Sequence, residues 1–222
     1  MYIVTIDGAS GTGKSITAFY LAKKLSFQYI DSGAFYRTLT LLAIEKNVAF
    51  DNIPKIINLL QNIDLTYEDD RILYKGRDIS NDIRNLEVTT KVSNVSILPA
   101  VRKEINTKLR LKATGKNSVI DGKDMGLSVF PDAQFKFYLL CDMSTRVARR
   151  KQEFLDAGYD ISRERIKLEL EKRDEYDRNI FGTYILKAPD AIEIDTTHLI
   201  VEEQVGIIYR YITEKINTVS LT

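Results

Sequence analysis

Cysteine and histidine are almost absent from this sequence, each occurring once, as Cys141 and His198. A single cysteine cannot form an intrachain disulfide, and one cysteine with one histidine cannot supply the ligands of a structural zinc site. With one histidine available, a Ser-His-Asp triad also has little support. The composition therefore disfavours both zinc-dependent folding and serine-hydrolase chemistry.

Net charge and long apolar runs are lacking too. The 32 basic and 31 acidic residues leave a net charge of +1, which provides no overall field for nucleic acid or an anionic membrane. No apolar stretch approaches the roughly 18 residues of a membrane span, and the first residues lack the pattern of a signal peptide. We therefore expect a cytoplasmic protein with no nucleic-acid or membrane partner.

The sequence does contain repeated changes of hydrophobic period. Residues 2–6 predict a strand, and further strands are predicted at 27–30, 118–120, 135–140 and 191–194. Between the first two strands, apolar residues recur every three positions as a helical stripe: Ile16, Phe19, Ala22 and Leu25. This alternation is typical of an α/β fold with a parallel sheet covered by helices.

Two regions depart from this alternation. In residues 51–98, a short helix at 56–60 precedes alternating runs at 63–67 and 72–74, which predict a β-hairpin in a small insertion. The charge-rich segment 145–177 predicts two helices broken near Gly158.

The most specific motif lies between the first strand and the first helix. It fits G-x-x-x-x-G-K-[ST], and its residues are Gly8, Ala9, Ser10, Gly11, Thr12, Gly13, Lys14 and Ser15. Glycines let backbone N–H groups approach an anion, and the following helix adds its positive dipole end. Lys14 would reach the β- and γ-phosphates of a nucleotide, and the Ser15 hydroxyl would join a Mg²⁺ shell. The motif predicts ATP binding but does not identify the acceptor.

Other polar residues follow predicted strands, at the sheet edge where α/β proteins bind ligands. Asp31 and Ser32 precede a helix that carries Tyr36 and Arg37. Tyr36 could stack on an acceptor base or simply pack. Asp121 ends another apolar run, in the place of a carboxylate that orients Mg²⁺ through water, although on their own the two carboxylates of this turn, Asp121 and Asp124, are more often structural.

A row of arginines, Arg146, Arg149 and Arg150, shares one face of a predicted helix. Such a row is often only a solvated surface. In a phosphate-loop protein with no other strongly basic site, it favours a phosphate clamp on a mobile lid, since guanidinium groups suit the spread charge of a transferring phosphoryl group.

Taken in order, these motifs resemble the bacterial cytidylate kinases, or CMP kinases, of the nucleoside monophosphate (NMP) kinase group. The resemblance runs from Ile6 to Thr197. Its most specific segments are residues 30–37, 92–93 with 99–102, 121–126 with 129–133, Arg149-Arg150, and Arg173-Asp174 followed by Asp177.

The resemblance implies a single P-loop kinase domain of three-layer α/β/α architecture, with MgATP as phosphoryl donor and CMP, or dCMP, as acceptor. The core would comprise residues 1–30, 99–146 and 163–222, the NMP-binding region about 31–98, and a short helical lid about 147–162. The family also suggests a monomer.

By the same resemblance, Ser93, Arg102 and Asp124 would recognise cytosine. Arg173 and Asp177 would hold the ribose hydroxyls, and Arg37 with Lys123 the acceptor phosphate. Ser32 and Tyr36 complete the expected CMP site. The expected catalytic residues, which supply positive charge, are Lys14, Arg146, Arg149 and Arg150.

The sequence departs from the family at two places. Lys123 stands where the family usually has arginine, which keeps the charge but loses a bidentate grip on phosphate. Ile180 stands where another phosphate-binding arginine is usual, and Tyr184-Ile185 replaces Pro-Leu, so weaker acceptor binding or altered substrate choice is open.

Two alternative functions also remain. The chain could phosphorylate UMP or a non-nucleotide alcohol, and an alcohol would need a general base, for which Asp31 is the candidate. It could instead bind ATP without catalysis, with Ile180 marking a lost acceptor site.

Overall fold

The computed structural model describes residues 1–68, 70–181 and 187–219, and of residues 178–181 and 219 it describes the backbone alone. The chain divides into two compact units, Met1–Ile30 with Ala113–Thr222, and Asp31–Lys112. The second unit extends beyond residue 98, the predicted end of the NMP-binding region. The functional division into core, NMP-binding region and lid stays a prediction.

The strands and helices follow each other in the alternation that the sequence predicts. The strands are β1 (Ile3–Gly8), β2 (Gln28–Asp31), β3 (Leu65–Glu68), β4 (Arg71–Tyr74), β5 (Arg77–Asp78), β6 (Ser118–Gly122), β7 (Phe135–Leu140) and β8 (Ile192–Asp195). The helices are α1 (Lys14–Leu25), α2 (Ser32–Glu45), α3 (Ile53–Gln61), α4 (Leu86–Lys91), α5 (Ser93–Ser96), α6 (Pro99–Ala113), α7 (Met143–Asp156), α8 (Arg163–Phe181) and α9 (Val201–Val219). A 3₁₀ turn covers Asp82–Arg84, and a π-helical turn covers Met125–Val129.

The first unit is built on a five-stranded sheet in the order β2-β6-β1-β7-β8. β1 runs parallel to both β6 and β7, and β7 runs parallel to β8. The central strand β1 is buried along its whole length, as expected of a parallel sheet covered on both faces. The predicted three-layer α/β/α fold with a parallel sheet is confirmed.

β2 begins one residue later than the sequence predicts, at Gln28 instead of Phe27. The N–H of Phe27 donates to the carbonyl of Ala22 and so closes the end of α1. The N–H of Gln28 is the first to reach the neighbouring segment, at the carbonyl of Asn117. The N–H of Phe27 is used in capping α1 and cannot pair with the neighbouring segment, so β2 begins at Gln28.

The buried face of α1 also differs from the predicted stripe. Ile16 is 42% exposed, whereas Ala18, Leu21 and Ala22 are buried in a core shared with the sheet and α9. A strict three-residue spacing drifts around a helix, and the face that reaches the core follows i, i+3 and i+4 instead.

The second unit contains the predicted hairpin. β3 and β4 pair antiparallel, with Leu65 opposite Tyr74, and β5 adds a third strand. β5 has two residues and no apolar alternation, so periodicity could not reveal it. The short helix predicted here is longer than expected, because Asn52 caps α3 by accepting from the N–H of Lys55.

α7 and α8 confirm the predicted pair of charged helices. They are separated around Gly158, which has a φ of 84°. In the described part of the chain, no helix combines the length and apolar character needed to cross a membrane.

Candidate active site

The predicted phosphate loop joins the buried end of β1 to the start of α1. Gly11 and Gly13 have φ values of 82° and 90°, in the region that side-chain-bearing residues rarely adopt. Gly13 precedes α1 and offers no side chain to the first N–H groups of the helix. Those groups therefore remain available to an anion, together with the positive end of the helix dipole.

Lys14 begins α1, and its Nζ donates to the carbonyl of Ala9 at 3.1 Å. Desolvation by burial lowers the pKa of Lys14 to about 8, an effect that the carboxylate of Asp121 partly opposes. The charges of Lys123, Asp177 and Arg173 act on the same ammonium group. The first unit thus brings together several residues predicted from distant parts of the sequence.

Ser15 and Asp121, the two residues predicted to lie near Mg²⁺, are hydrogen-bonded to each other. The Ser15 hydroxyl donates to Oδ2 of Asp121 at 2.5 Å, and the Tyr29 hydroxyl donates to Oδ1 at 2.9 Å. Asp121 is buried near the end of β6, directly beside β1 in the sheet. The parallel pairing of these two strands is what places a residue from position 121 against the phosphate loop.

The donor set fits Mg²⁺. Residues 1–68, 70–181 and 187–219 contain no group of three or more His, Cys, Asp or Glu side chains that could hold a metal ion. Mg²⁺ bound with a nucleotide does not need such a cage, since it takes one or two protein oxygens and fills its shell with phosphate oxygens and water. A hydroxyl and a carboxylate beside the phosphate loop meet that requirement.

Lys123 lies just beyond β6 and forms an ion pair with Asp177 of α8. Its Nζ is 2.6 Å and 2.5 Å from the two carboxylate oxygens of Asp177. Desolvation lowers the pKa of Lys123, and the charge of Asp177 opposes this. Asp124, the next residue but one after β6, is buried, and Arg173 is half-buried one turn before Asp177.

Two of the α7 arginines bind the phosphate loop itself. The Nε of Arg146 donates to the Ser10 carbonyl at 2.7 Å, and its guanidinium holds both oxygens of Asp174 at 2.7 Å and 2.8 Å. Arg149 donates to the Thr12 carbonyl at 3.0 Å. These two side chains therefore contact backbone oxygens of the loop.

Arg150 differs from the other two. Its Nη1 donates to Glu153 at 2.5 Å, and its guanidinium carbon lies 4.6 Å from the centre of the Phe154 ring. The three arginines lie on one helix, as predicted, but the structure gives them different partners.

The second unit holds the other predicted acceptor residues. Asp31 is 1% exposed, and its Oδ1 accepts from the N–H of Ala34, capping α2. Its Oδ2 accepts from Arg37 at 2.7 Å, and Arg84 lies 3.7 Å from the same oxygen. Asp31 therefore orients Arg37.

The remaining predicted residues of this unit are placed as follows. Ser32 and Tyr36 are largely buried in α2. Ser93 begins α5, and Arg102 lies in the first turn of α6; both are half-buried. Of the departures from the family, Ile180 falls where only the backbone is described, in α8, and Tyr184-Ile185 lies outside the described residues.

Sequence reasoning missed Asp7. It is 3% exposed at the end of β1, where its two oxygens accept from the N–H groups of Met125 and Gly126, each at 2.8 Å. Burial raises its pKa to about 7, against the lowering effect of these hydrogen bonds. An aspartate at the end of an apolar strand was the available signal.

Three comparisons relate this chain to known proteins. The family model described as "Cytidylate kinase" matches residues 4–214. The chain is 41% identical over 217 residues to a cytidylate kinase of Carboxydothermus hydrogenoformans, covering 96% of this chain and 97% of that one. It is 40% identical over 217 residues to a cytidylate kinase of Halalkalibacterium halodurans, covering 96% and 98%.

Solved structures agree on the fold. A gluconokinase from Sinorhizobium meliloti matches with a TM-score of 0.50 and 15% identity, covering 99% of this chain and 97% of that one. An uncharacterized protein from Eubacterium ventriosum matches with a TM-score of 0.52 and 16% identity, covering 96% and 98%. At these identities the likeness concerns architecture alone.

Proposed function

The chain belongs to the cytidylate kinase family, and from that premise we propose that it transfers the γ-phosphoryl group of MgATP to CMP, and also to dCMP. The products are ADP with CDP or dCDP. The observation that carries the proposal is the phosphate loop, where Lys14 lies beside the Ser15–Asp121 pair. This arrangement supplies a cation to the phosphates of a nucleotide and oxygen ligands to the Mg²⁺ that is bound with it.

The reaction needs no catalytic base on the protein. A phosphate oxygen of CMP is already ionised at neutral pH, so it attacks the γ-phosphorus in line while ADP leaves. The protein contributes positioning and charge stabilisation. Lys14 acts on the β- and γ-phosphates, and Arg146 and Arg150 add positive charge from the lid side.

Ser15 and, through water, Asp121 would hold Mg²⁺, which neutralises phosphate charge when it is bound with ATP. Water must stay out of the site, because it would otherwise take the phosphoryl group from ATP. We assign this exclusion to the predicted lid at 147–162.

Acceptor-binding roles go to residues of each unit. In the second unit, Arg37 binds the acceptor phosphate and Ser93 with Arg102 binds cytosine. In the first unit, Asp124 contributes to cytosine recognition, while Asp177 with Arg173 binds the ribose and Lys123 the phosphate. In the described structure Lys123 is paired with Asp177. Binding of CMP therefore has to separate this pair, with Lys123 turning to the acceptor phosphate and Asp177 to the ribose hydroxyls.

The alternative of an alcohol acceptor has less support. A general base needs a free oxygen to accept a proton, and both oxygens of Asp31 accept from other groups, one from the N–H of Ala34 and one from Arg37. A phosphate acceptor needs no base, and it uses the arginine that Asp31 orients. We further propose that the kinase acts as a monomer in the cytoplasm.

The test is ADP release in the presence of MgATP and CMP, dCMP, UMP, AMP or GMP in turn. We expect turnover with CMP and dCMP well above that with the purine nucleotides. Lys14→Ala should lose at least about a hundredfold in turnover, as removal of a charge stabiliser does. Lys24→Ala, on the same helix but exposed, is the matched control.

If no nucleotide stimulates ADP release while ATP still binds, the kinase assignment fails and the binding-module alternative replaces it. Turnover with UMP equal to that with CMP would show that the enzyme accepts both pyrimidine nucleotides. We would then attribute this broader acceptor choice to the two departures from the family, Lys123 and Ile180.

A further inference from the structure

Arg149 occupies an unusual position among the charged residues near the phosphate loop. Its Nη1 donates to the carbonyl of Thr12 at 3.0 Å and lies 3.3 Å from the hydroxyl of Thr196. Its Nη2 donates to the carbonyl of Thr196 at 2.6 Å and to that of Leu199 at 3.3 Å. Nη1 also lies 3.5 Å from Sγ of Cys141, just beyond β7. The oxygen acceptors are neutral, most of them backbone, and they belong to two separate segments of the first unit.

The position of Arg149 matters because of the direction in which the backbone carbonyl groups of the phosphate loop point. A phosphate loop binds its anion through N–H groups that point inward, so a carbonyl that turned inward would repel the phosphate. The Ala9 carbonyl accepts from the Thr12 hydroxyl at 2.9 Å. The Ser10 carbonyl accepts from Arg146, and the Thr12 carbonyl accepts from Arg149. The Thr196 hydroxyl lies 2.9 Å from the Thr12 carbonyl and 2.9 Å from the Leu140 carbonyl.

The second segment is itself anchored to α1. Gln204 is 1% exposed; its Oε1 accepts from the Thr17 hydroxyl at 2.6 Å, and its Nε2 donates to the Leu199 carbonyl at 3.0 Å. A Cβ at Gly13 would lie 3.3 Å from Gln204 Oε1 and 3.6 Å from Arg149 Nη1. The loop is therefore packed closely against residues 196–204, with the Arg149 guanidinium at the junction.

We infer that Arg149 is a positioning residue for the phosphate loop, which ties the Thr12 carbonyl to the segment 196–199 and so keeps the loop N–H groups directed at the nucleotide. This refines the role expected from the arginine row, a direct hold on the transferring phosphoryl group. The inference rests on the proposed use of the loop for ATP, but not on the identity of the acceptor.

Arg149→Lys separates the two roles. Lysine keeps a positive charge that could act on a phosphate, but its donors are all on one nitrogen. The planar guanidinium instead places Nη1 on the Thr12 carbonyl and Nη2 on the carbonyls of Thr196 and Leu199. ADP is the probe, because it lacks the γ-phosphoryl group while its α- and β-phosphates occupy the loop. A positioning role predicts that Arg149→Lys and Arg149→Met both weaken ADP binding about tenfold or more.

The measurement is the Kd of ADP by titration calorimetry, without CMP, so that a failure of the CMP assignment leaves the result interpretable. Arg165→Lys is the matched control, since Arg165 is 65% exposed on α8, and its ADP affinity should equal that of the unchanged protein. An ADP affinity within twofold of the unchanged protein in Arg149→Lys, with a reduced kcat, would overturn the inference in favour of a γ-phosphoryl contact.

Thr196→Val provides a second, milder variant in case Arg149→Met does not fold. It removes the hydroxyl that lies 2.9 Å from both the Thr12 and the Leu140 carbonyls, and it keeps the shape of the side chain. We expect weaker ADP binding, and a loss in the Thr196→Val/Arg149→Lys double variant smaller than the product of the two single losses, because both act on one carbonyl. Independent, fully multiplicative losses would contradict a shared positioning role.

Discussion

The Ser15 hydroxyl donates a hydrogen bond of 2.5 Å to Asp121, a residue 106 positions further along the chain. The pairing of β1 with β6 makes this possible, with Ile6 opposite Asp121 in the register. Tyr29 holds the other carboxylate oxygen, so the orientation of Asp121 is fixed from two sides. The sheet thus brings together Ser15 and Asp121, the two residues predicted to lie near Mg²⁺, from parts of the chain that are remote in sequence.

Asp121→Asn should raise the free Mg²⁺ concentration needed for half-maximal turnover about tenfold or more, because loss of a residue that orients a metal's ligands typically costs that much affinity. The measurement is turnover against free Mg²⁺ at fixed ATP. Asp51→Asn, a change at an exposed aspartate in the second unit, is the control. An unchanged Mg²⁺ requirement in Asp121→Asn would remove Asp121 from the metal's surroundings.

Asp31→Asn tests whether Asp31 orients Arg37. The amide oxygen of asparagine can still cap α2 through the N–H of Ala34, but its NH₂ group cannot accept from Arg37. We expect the KM for CMP to rise about tenfold, while the KM for ATP changes less than twofold. A loss confined to kcat, with the KM for CMP unchanged, would favour a catalytic role for Asp31 over an orienting one.

Asp7→Asn tests the buried carboxyl at the end of β1. Its pKa is raised from the ordinary 3.8 to about 7, so between these pH values the folded state holds a proton that the unfolded state releases. The free energy of unfolding should therefore fall as the pH rises through this window, by about 4 kcal/mol at most. The amide introduced by Asp7→Asn cannot titrate, so that variant lacks this contribution.

The measurement is urea unfolding of both proteins at pH 5 and pH 8, without nucleotide. The fixed cost of placing an amide against the N–H groups of Met125 and Gly126 cancels, because only the change with pH is compared. A stability difference between the two proteins that is the same at both pH values would show that Asp7 is ionised throughout.

The sequence could predict those structural features that a run of neighbouring residues specifies. The phosphate loop is such a case, because eight neighbouring positions specify a glycine-rich loop between β1 and α1, while its chemistry stays a prediction. The parallel sheet followed from the alternation of strand-like and helical runs. The hairpin β3–β4 followed from two alternating runs, whereas β5 left no pattern to recognise.

The rest of the site depends on backbone partners, which have no signature in side-chain spacing. Arg149 is one of three arginines on a predicted helix face, and only the folded chain shows that it holds the Thr12 carbonyl while Arg150 pairs with Glu153. Thr196 and Gln204 escaped notice because threonine and glutamine are common in polar turns and helices. They matter because the Thr196 hydroxyl lies close to the Thr12 carbonyl and the Gln204 amide donates to the Leu199 carbonyl.

The depressed pKa of Lys14 predicts how activity depends on pH. Desolvation brings the pKa to about 8, so in the free enzyme the ammonium group loses its proton as the pH rises past this value. The kcat/KM for MgATP, which reports groups of the free enzyme, should therefore fall with an apparent pKa near 8. The kcat itself should fall only at higher pH, since bound phosphates favour the charged form of Lys14.

Lys14→Arg provides the control, because a guanidinium stays charged throughout the accessible range. Its kcat/KM will be lower, since arginine does not fit the place of lysine, but the fall near pH 8 should disappear. Persistence of the same fall in Lys14→Arg would assign it to another group, with Lys123 the first candidate because burial lowers its pKa too. A profile of the unchanged enzyme that stays flat well above pH 8 would mean that Lys14 keeps its proton without a nucleotide, and that its neighbours Asp121 and Asp177 outweigh desolvation.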